Sequence, residues 1–447
     1  MRRLILFIFA FMFLLRIAEA QEVLTLEDCL RMTIENNLSL KGTRNEIVKG
    51  LHNIDENRAR LMPQVNAVAA FNDNFDPPVS VTDGSAYGKD INGTKTLQYN
   101  ASAGLQVQMP IYNQTAATSI EIARTMNQLN RLTYEKAKED LIMQVSKMYY
   151  LAQNTVEQIG LIKGNISRLE ALRDITLAFY DNGMAVEVDV QRVNFNLENL
   201  QVQYDNAQSM LTQQYNTLKY VMDYPAESVI AVVHANADEK PMTGSGGFSP
   251  DQYELLLLRE KEKLAEQQKK IVKDGYLPTV SLSGNWTYSA YADKLKNWVH
   301  DTPFNHIYGS WGFGVSVRMP LFDGYEKRSK MRKAQVDIDN VKLSYQNQMR
   351  NMQTQYMNAT NDLENSERNY RKQKDNLSLA QNVCNMTNER YKEGIASMTD
   401  VLQDEMRITE AQNNYLTAHY NYQLSNLNLL KLTRQLDKLV PSLYDEH

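Results

Sequence analysis

Three acidic side chains stand at the predicted starts of two helices. Asp189 follows the first of two Tyr-x-x-Gly turns, Asp400 follows the second, and Asp404 lies one turn beyond Asp400. A carboxylate in the first turn of a helix accepts hydrogen bonds from free backbone N–H groups and stabilises the positive helix end. Carboxylates that are crowded together have a different chemistry, because they resist simultaneous ionisation and attract cations. The spacing is compatible with either role, a helix cap or a charged constriction.

Residues that could carry catalysis or hold a cofactor do not form a recognisable motif. The sequence contains no Ser-His-Asp, Cys-His or phosphate-loop pattern, and its six histidines include no ligand-spaced pair. The glycine-rich stretch 244–247 neither follows a predicted strand nor precedes a helix with a lysine, so we interpret it as a linker. The net charge of −5 comes without a basic stripe, which argues against nucleic acid. We therefore predict no enzyme activity, no cofactor and no metal site.

The first twenty residues have the pattern of a secretory signal peptide. Arg2 and Arg3 precede an unbroken apolar run, 4–15, and residues 18–20 form a small-x-small cleavage signal. The run is too short to cross a bilayer as a helix, and a retained membrane anchor is the alternative. Cleavage places Gln21 at the new N-terminus, and because this residue is not a cysteine we predict no lipid anchor.

The remainder of the chain is internally duplicated. A Leu-Pro pair ends at Pro63 and again at Pro278, and a Met-Pro pair ends at Pro110 and again at Pro320. The Tyr-x-x-Gly turns and the Asp-Val pairs after them recur in the same order, and all these offsets lie between 210 and 215 residues. Ordered recurrence at one period indicates structural repeats. We predict a signal peptide, 1–20, two repeats, 21–240 and 249–440, a linker, 241–248, and a tail, 441–447.

Each repeat follows the same plan of helix, two strands, long helix and returning helix. Apolar and polar residues alternate in the segments after each Leu-Pro pair, less cleanly in 65–75 than in the others, whereas the long segments are free of proline and keep three-and-four spacing. The first repeat is predicted as helix 24–62, strands 65–76 and 97–109, long helix 113–181 and returning helix 187–223. The second is predicted as helix 250–276, strands 279–291 and 307–319, long helix 323–392 and returning helix 398–437.

The predicted strands are about ten residues long and two-faced, which is typical of transmembrane β-strands. An antiparallel sheet in a soluble domain would show the same local pattern, but these hairpins are flanked by long helices and have no local core. We predict that one face contacts lipid: Tyr99, Leu105, Val107, Leu282, Trp286, Phe313 and Val315. The opposite face, with Gln106, Ser283 and Ser316, is predicted to line a lumen.

The long helices are predicted to pack against one another. The segment 113–181 would extend about 100 Å at 1.5 Å per residue, and apolar residues recur every seven positions from Val401 to Leu436, as in coiled coils. Cys29 and Cys384 fall inside helical patterns, so we predict that both are small buried residues. A disulfide between them is the alternative. The predicted fold class is mixed and mostly α, with very long coiled-coil helices and four strands.

These landmarks resemble the TolC family of outer-membrane efflux and secretion channels over essentially the whole mature chain. Asp323-Gly324 fits the strand-to-helix junction of that family, whereas Asn113-Gln114 in the first repeat departs from it. The resemblance implies a homotrimer with a 12-stranded β-barrel in outer-membrane lipid and a periplasmic α-barrel. It also implies two partners, a periplasmic adaptor protein and an inner-membrane pump. The rival predictions are a soluble periplasmic coiled-coil scaffold and a passive porin.

The resemblance implies two functional regions near the Tyr-x-x-Gly turns. The tips that would contact the adaptor are Gly183, Met184, Ala185, Gly394, Ile395 and Ala396. The residues of a periplasmic gate would be Asp400, Gln403, Asp404 and Asp189. Asp400 matches the acidic position of family channels, so that in a trimer it would join its symmetry mates in an acidic ring. Gln403 stands where some members have a second acid, and Asp404 would replace that acid only by facing inward.

Overall fold

The structure is a computed structural model that describes residues 22–76, 79–82, 92–95, 97–233, 246–292 and 307–440. The predicted signal peptide, most of the linker and the tail lie outside these residues. The helices are α1 (Leu26–Asn36), α2 (Leu38–Ala59), α3 (Gln114–Asp181), α4 (Glu187–Met222), α5 (Tyr253–Asp274), α6 (Glu326–Lys392) and α7 (Met398–Leu432). The strands are β1 (Glu22–Leu24), β2 (Gln64–Asp73), β3 (Val79–Thr82), β4 (Asn92–Lys95), β5 (Tyr99–Tyr112), β6 (Ile230–Val232), β7 (Thr279–Ala292) and β8 (Ile307–Arg318).

The first predicted helix, 24–62, is wrong in extent, because the structure divides it. Residues of β1 pair with β6 in a parallel arrangement, and the helix that follows stops at Asn37, whose ψ of 121° is not helical. The Asn37 side chain accepts a hydrogen bond from the backbone N–H of Leu40 (3.0 Å) and donates one to the Val221 carbonyl (2.8 Å). Asn37 therefore caps the start of α2, a role that competes with a continuous helix.

The last predicted helix, 398–437, also ends early. Helix α7 stops at Leu432, Arg434 adopts a left-handed φ of 58°, and a short 3-10 helix follows at Leu436–Leu439. The Thr433 hydroxyl donates to the Leu429 carbonyl at 2.8 Å and satisfies one of the free carbonyl groups at the helix end.

A four-stranded antiparallel sheet has the order β2-β5-β7-β8. The central pair, β5 and β7, joins the hairpins of the two repeats, with Leu105 opposite Trp286. At Gly104 an added Cβ would lie 2.3 Å from the Trp286 carbonyl oxygen, so only glycine fits this approach. The register places all seven residues predicted to contact lipid on one face and Gln106, Ser283 and Ser316 on the other.

The chain separates into two compact units, each built from both repeats. The sheet unit comprises 46–130 and 259–343, and the helical unit comprises the described parts of 1–45, 131–258 and 344–447. The core of the helical unit packs α1, α3, α4 and α7 together around fully buried residues such as Leu30, Leu218 and Leu430. Within the described ranges, no helix combines the length and the apolar character needed to span a membrane.

The heptad residues predicted in α7 are buried, as helix-on-helix packing requires. Val401, Ile408, Tyr415, Tyr422 and Leu429 are each at most 7% exposed. Cys29 and Cys384 are buried and free, which confirms the prediction of small buried residues and answers the question of a disulfide.

Candidate functional site

The two Tyr-x-x-Gly turns end the long helices in the same way. Gly183 and Gly394 have left-handed φ values of 72° and 74°, a conformation in which glycine has no steric penalty. Met184 N–H donates to the Phe179 carbonyl and Ile395 N–H donates to the Arg390 carbonyl, each at 2.8 Å. No atom lies within 4 Å of a Cβ added at either glycine, so the backbone conformation, and not space, requires glycine here.

The tips beyond these glycines present apolar side chains to solvent. Met184 is 68% exposed and Ile395 is 62% exposed, whereas Ala185 and Ala396 are half-buried. Exposed apolar groups repeated at corresponding positions of the two repeats form a small surface suited to contact with another protein.

Asp400 lies in the first turn of helix α7 and forms a capping box with Ser397. Its backbone N–H donates to Ser397 Oγ at 3.2 Å, and its Oδ2 accepts from the Ser397 backbone N–H at 3.1 Å and from Ser397 Oγ at 2.7 Å. The helix-cap interpretation of Asp400 is thus confirmed. The hydrogen bonds from Ser397 hold the pKa of the Asp400 carboxyl below its usual range, so the exposed side chain keeps its charge at neutral pH.

Gln403 and Asp404 of α7 differ in burial. Gln403 is exposed and lies three residues after the exposed Asp400, so the two share one face. The Asp404 side chain is 10% exposed and forms an ion pair with Arg407 (3.2 Å), and its Oδ2 accepts from the Thr387 hydroxyl of α6 at 2.7 Å. Gln403 is therefore exposed to solvent as Asp400 is, whereas Asp404 is engaged by Arg407 and Thr387.

Asp189 differs from Asp400 although the two positions correspond in the repeats. Helix α4 begins after Val186 with no side-chain hydrogen bond at its cap, although Asp189 lies in the first turn, at the positive helix end, as predicted. The Asp189 carboxylate instead forms an ion pair with Arg192 at 3.1 Å, and its side chain is 19% exposed.

Sequence reasoning missed a column of polar residues on the buried side of α7. Glu405, Gln412, His419 and Asn426 recur every seven residues, and we call them the polar seam. Glu405, Gln412 and Asn426 are 3–7% exposed, and the His419 side chain is 12% exposed. The sequence does contain this column, as a second heptad that lies four residues after the apolar one. It was missed because polar residues at helical spacing are typical of a solvent-exposed face.

Partners of the polar seam lie on α3. Arg168 Nη2 is 3.1 Å from Glu405 Oε2, and the side-chain amides of Asn165 and Gln412 exchange two hydrogen bonds of 2.7 and 3.1 Å. Cys384 of α6 donates its S–H to Glu405 Oε1 at 3.2 Å, and burial, followed by the charge of Glu405, raises the pKa of this thiol to about 12. The thiol is therefore a weak donor and not a nucleophile.

Solved structures with a similar fold include outer-membrane channels. The structure of CusC, a protein that forms a transmembrane channel, has a TM-score of 0.74 with 14% identity, covering 91% of each chain. The outer-membrane channel CmeC of Campylobacter jejuni has a TM-score of 0.72 with 16% identity, covering 94% of this chain and 89% of that one. The fold class is that of a channel combining α-barrel helices with β-barrel strands, as predicted.

The sequence comparisons give the family. The profile of the outer membrane efflux protein family matches residues 29–222 and 254–433. The outer membrane protein TolC of Vibrio cholerae is 20% identical over 386 residues, which cover 84% of this chain and 83% of that protein. The chain belongs to the outer membrane efflux protein family.

Membership of this family gives the function at the level of the protein class. The chain is an outer-membrane channel component for efflux or secretion, and a soluble scaffold is not favoured. The relatives are channel proteins rather than enzymes.

Proposed function

We propose that three copies of this chain form one continuous duct, with the four-stranded sheets in the outer membrane and the long helices in the periplasm. The observation that carries the proposal is the sheet itself. In the part of the chain that is described, β2 and β8 each pair on one side only. An open edge in lipid leaves backbone groups unpaired at a cost of several kcal/mol each, and pairing β8 of one copy with β2 of the next removes every edge.

Arginine substitutions on the two faces of β8 test the proposal that the sheet lies in the outer membrane. Phe313 is 80% exposed on the apolar face, and Ser316 lies on the opposite face. Arginine on the lipid face of a barrel near the bilayer midplane costs about 2–4 kcal/mol, whereas a lumen position is solvated. Phe313→Arg should therefore lower the amount of heat-modifiable trimer in outer-membrane fractions on gels, and Ser316→Arg should not. Equal amounts of trimer in the two variants contradict the proposal.

We propose further that the duct works without catalysis and receives its cargo through protein partners. The apolar tips around Met184 and Ile395 would dock a periplasmic adaptor, which in turn connects the duct to an inner-membrane pump. A trimer would present six such tips, three from each repeat. The exposure of the two apolar side chains supports this role, because the left-handed glycines before them already account for the ends of the helices.

The proposed periplasmic gate rests on Asp400. Three symmetry-related carboxylates would form an acidic constriction that attracts cations and repels anions. Gln403 on the same exposed face makes this a single acidic ring, and the engagement of Asp404 by Thr387 and Arg407 removes that residue from the ring. Opening would separate the starts of the α7 helices once the adaptor is bound.

Planar-bilayer recordings of three variants test the gate. Asp400→Asn removes the charge but retains an acceptor for the Ser397 N–H, so we expect a lower cation preference and weaker block by multivalent cations. Ser397→Ala is the matched control, because it weakens the cap and retains the charge, and it should preserve selectivity. Gln403→Asp should strengthen cation preference and block. If Asp400→Asn leaves both properties unchanged, Asp400 is a helix cap and nothing more.

A further inference from the structure

The polar seam contains one histidine that lies beside a carboxylate of another helix. His419 of α7 lies with its Nδ1 3.7 Å from Glu157 Oε2 of α3. The ring of Tyr370 from α6 stacks on the His419 imidazole with centroids 5.0 Å apart and an angle of 27° between the planes. Three helices of the helical unit thus meet at one imidazole, and histidine is the side chain whose unperturbed titration falls closest to physiological pH.

One oxygen of the Glu157 carboxylate lacks a hydrogen-bond donor, although the Tyr415 phenol donates a hydrogen bond to this carboxylate. Its Oε2 is buried and has no hydrogen-bond partner among the described residues. A buried carboxylate oxygen without a donor is unfavourable, and the imidazole is close enough to supply one after a small approach. A proton on His419 would give the carboxylate both a donor and an opposite charge.

The surrounding aromatic rings also favour a cationic imidazole. Tyr370 stacks against His419 on one side, and the Tyr415 ring lies 6.0 Å from the imidazole with an angle of 23° between the planes. An aromatic face within about 6 Å of a cation is attractive. Burial, followed by the negative charge of Glu157, keeps the pKa of the Tyr415 phenol above its usual range, so this phenol stays neutral.

We propose that Glu157, His419 and Tyr370 form a proton-dependent clasp that holds α7 to α3 and keeps the duct closed at acidic pH. Protonation of His419 turns a close but unbonded contact into an ion pair covered by an aromatic ring. Because α7 also carries Asp400 at its start, a tighter hold on α7 opposes the separation of helices that opening requires. The inference rests on the proposed function for its effect on conductance, but the clasp itself does not.

The other charged groups near the clasp do not oppose protonation of His419. Tyr422 of α7 stacks on Tyr370 with centroids 5.7 Å apart, and Glu367 and Arg371 of α6 act on Tyr422 with opposite signs. These two residues form an ion pair with each other, so their charges largely cancel. Within one chain the hydrogen bonds from Ser397 lower the pKa of the Asp400 carboxyl, and a pH response carried by the acidic ring would persist in His419→Gln.

Conductance measured between pH 8 and 5.5 in planar bilayers tests the clasp. We expect the open fraction of the wild-type protein to fall roughly tenfold over this range, which corresponds to about 1.4 kcal/mol. His419→Gln and Glu157→Gln should each remove most of this dependence. His52→Gln changes an exposed histidine of α2 and should behave as the wild type. A pH profile of His419→Gln that matches the wild type overturns the proposal.

A measurement without a pore separates failure of the clasp from failure of the proposed function. Histidine protonation can be followed by NMR on the full-length protein in detergent, with the His419 signal assigned by its loss in His419→Gln. We expect a smaller protonated fraction of His419 at pH 6 in Glu157→Gln than in the wild type. An equal fraction overturns the clasp, whereas a difference without any conductance retains the clasp and rejects the duct.

Discussion

Arg168→Met is expected to lower the free energy of unfolding of the helical unit by about 3–5 kcal/mol, because it leaves a buried charge without its partner. Glu405 is 7% exposed, and the Arg168 guanidinium also donates to its Oε1 at 3.3 Å. The measurement is denaturant unfolding followed by helical circular dichroism, in detergent at constant protein concentration.

Two control variants make this prediction specific. Arg168→Met combined with Glu405→Leu removes both charges and should recover most of the lost stability, since a buried ion pair is often replaceable by apolar groups. Arg368→Met removes an α6 arginine whose pair with Glu364 is 63% and 66% exposed, and it should change stability by less than about 1 kcal/mol. If Arg168→Met and Arg368→Met have the same effect, the Arg168–Glu405 pair does not hold α3 to α7.

Acidic substitutions at both tips are expected to abolish export while leaving the channel in the membrane. Met184→Glu combined with Ile395→Glu places charges on two exposed apolar positions and spares the glycines that the turns require. A desolvated charge opposes burial in an interface, so the adaptor should no longer bind. The measurement is dye accumulation in cells that depend on this channel for efflux, together with the trimer content of the outer membrane.

A third substitution distinguishes the tips from the helices that carry them. Leu379 is 62% exposed on α6, about 24 Å before Ile395 at 1.5 Å per residue. Leu379→Glu should leave export unchanged. Bulky charged replacements at Ala185 and Ala396 should reproduce the effect of the tip variants. If cells carrying the double acidic variant export dye and retain the bound adaptor, the tips are helix ends without a docking role.

The local properties of the chain were readable from its sequence. Periodicity predicted the two long helices, which the structure places at Gln114–Asp181 and Glu326–Lys392, and alternation predicted the two-faced strands. The turns at Gly183 and Gly394 were readable because a left-handed residue is needed within a few positions of the helix end. These features depend on residues close to one another in the sequence, so they can be predicted from the sequence alone.

Helix ends and the burial of individual polar side chains were less predictable, because alternative local conformations compete at these positions. Asn37 could either continue the first helix or cap the next one. Its side-chain hydrogen bond to the Val221 carbonyl, 184 residues away, favours the cap. Asp404 was predicted to join the acidic ring only if it faced inward, and its hydrogen bond from the Thr387 hydroxyl of α6 instead holds it in a buried position.

The sequence by itself determined the two long helices, the duplication and the two faces of the sheet. Only the tertiary structure decided which polar residues meet. Glu405 pairs with Arg168, which is 237 residues away in the sequence, and Gln412 hydrogen-bonds to Asn165, which is 247 residues away. Such partners are chosen when helices pack, because a polar group can be buried stably only where a complementary group from another element arrives at hydrogen-bond distance.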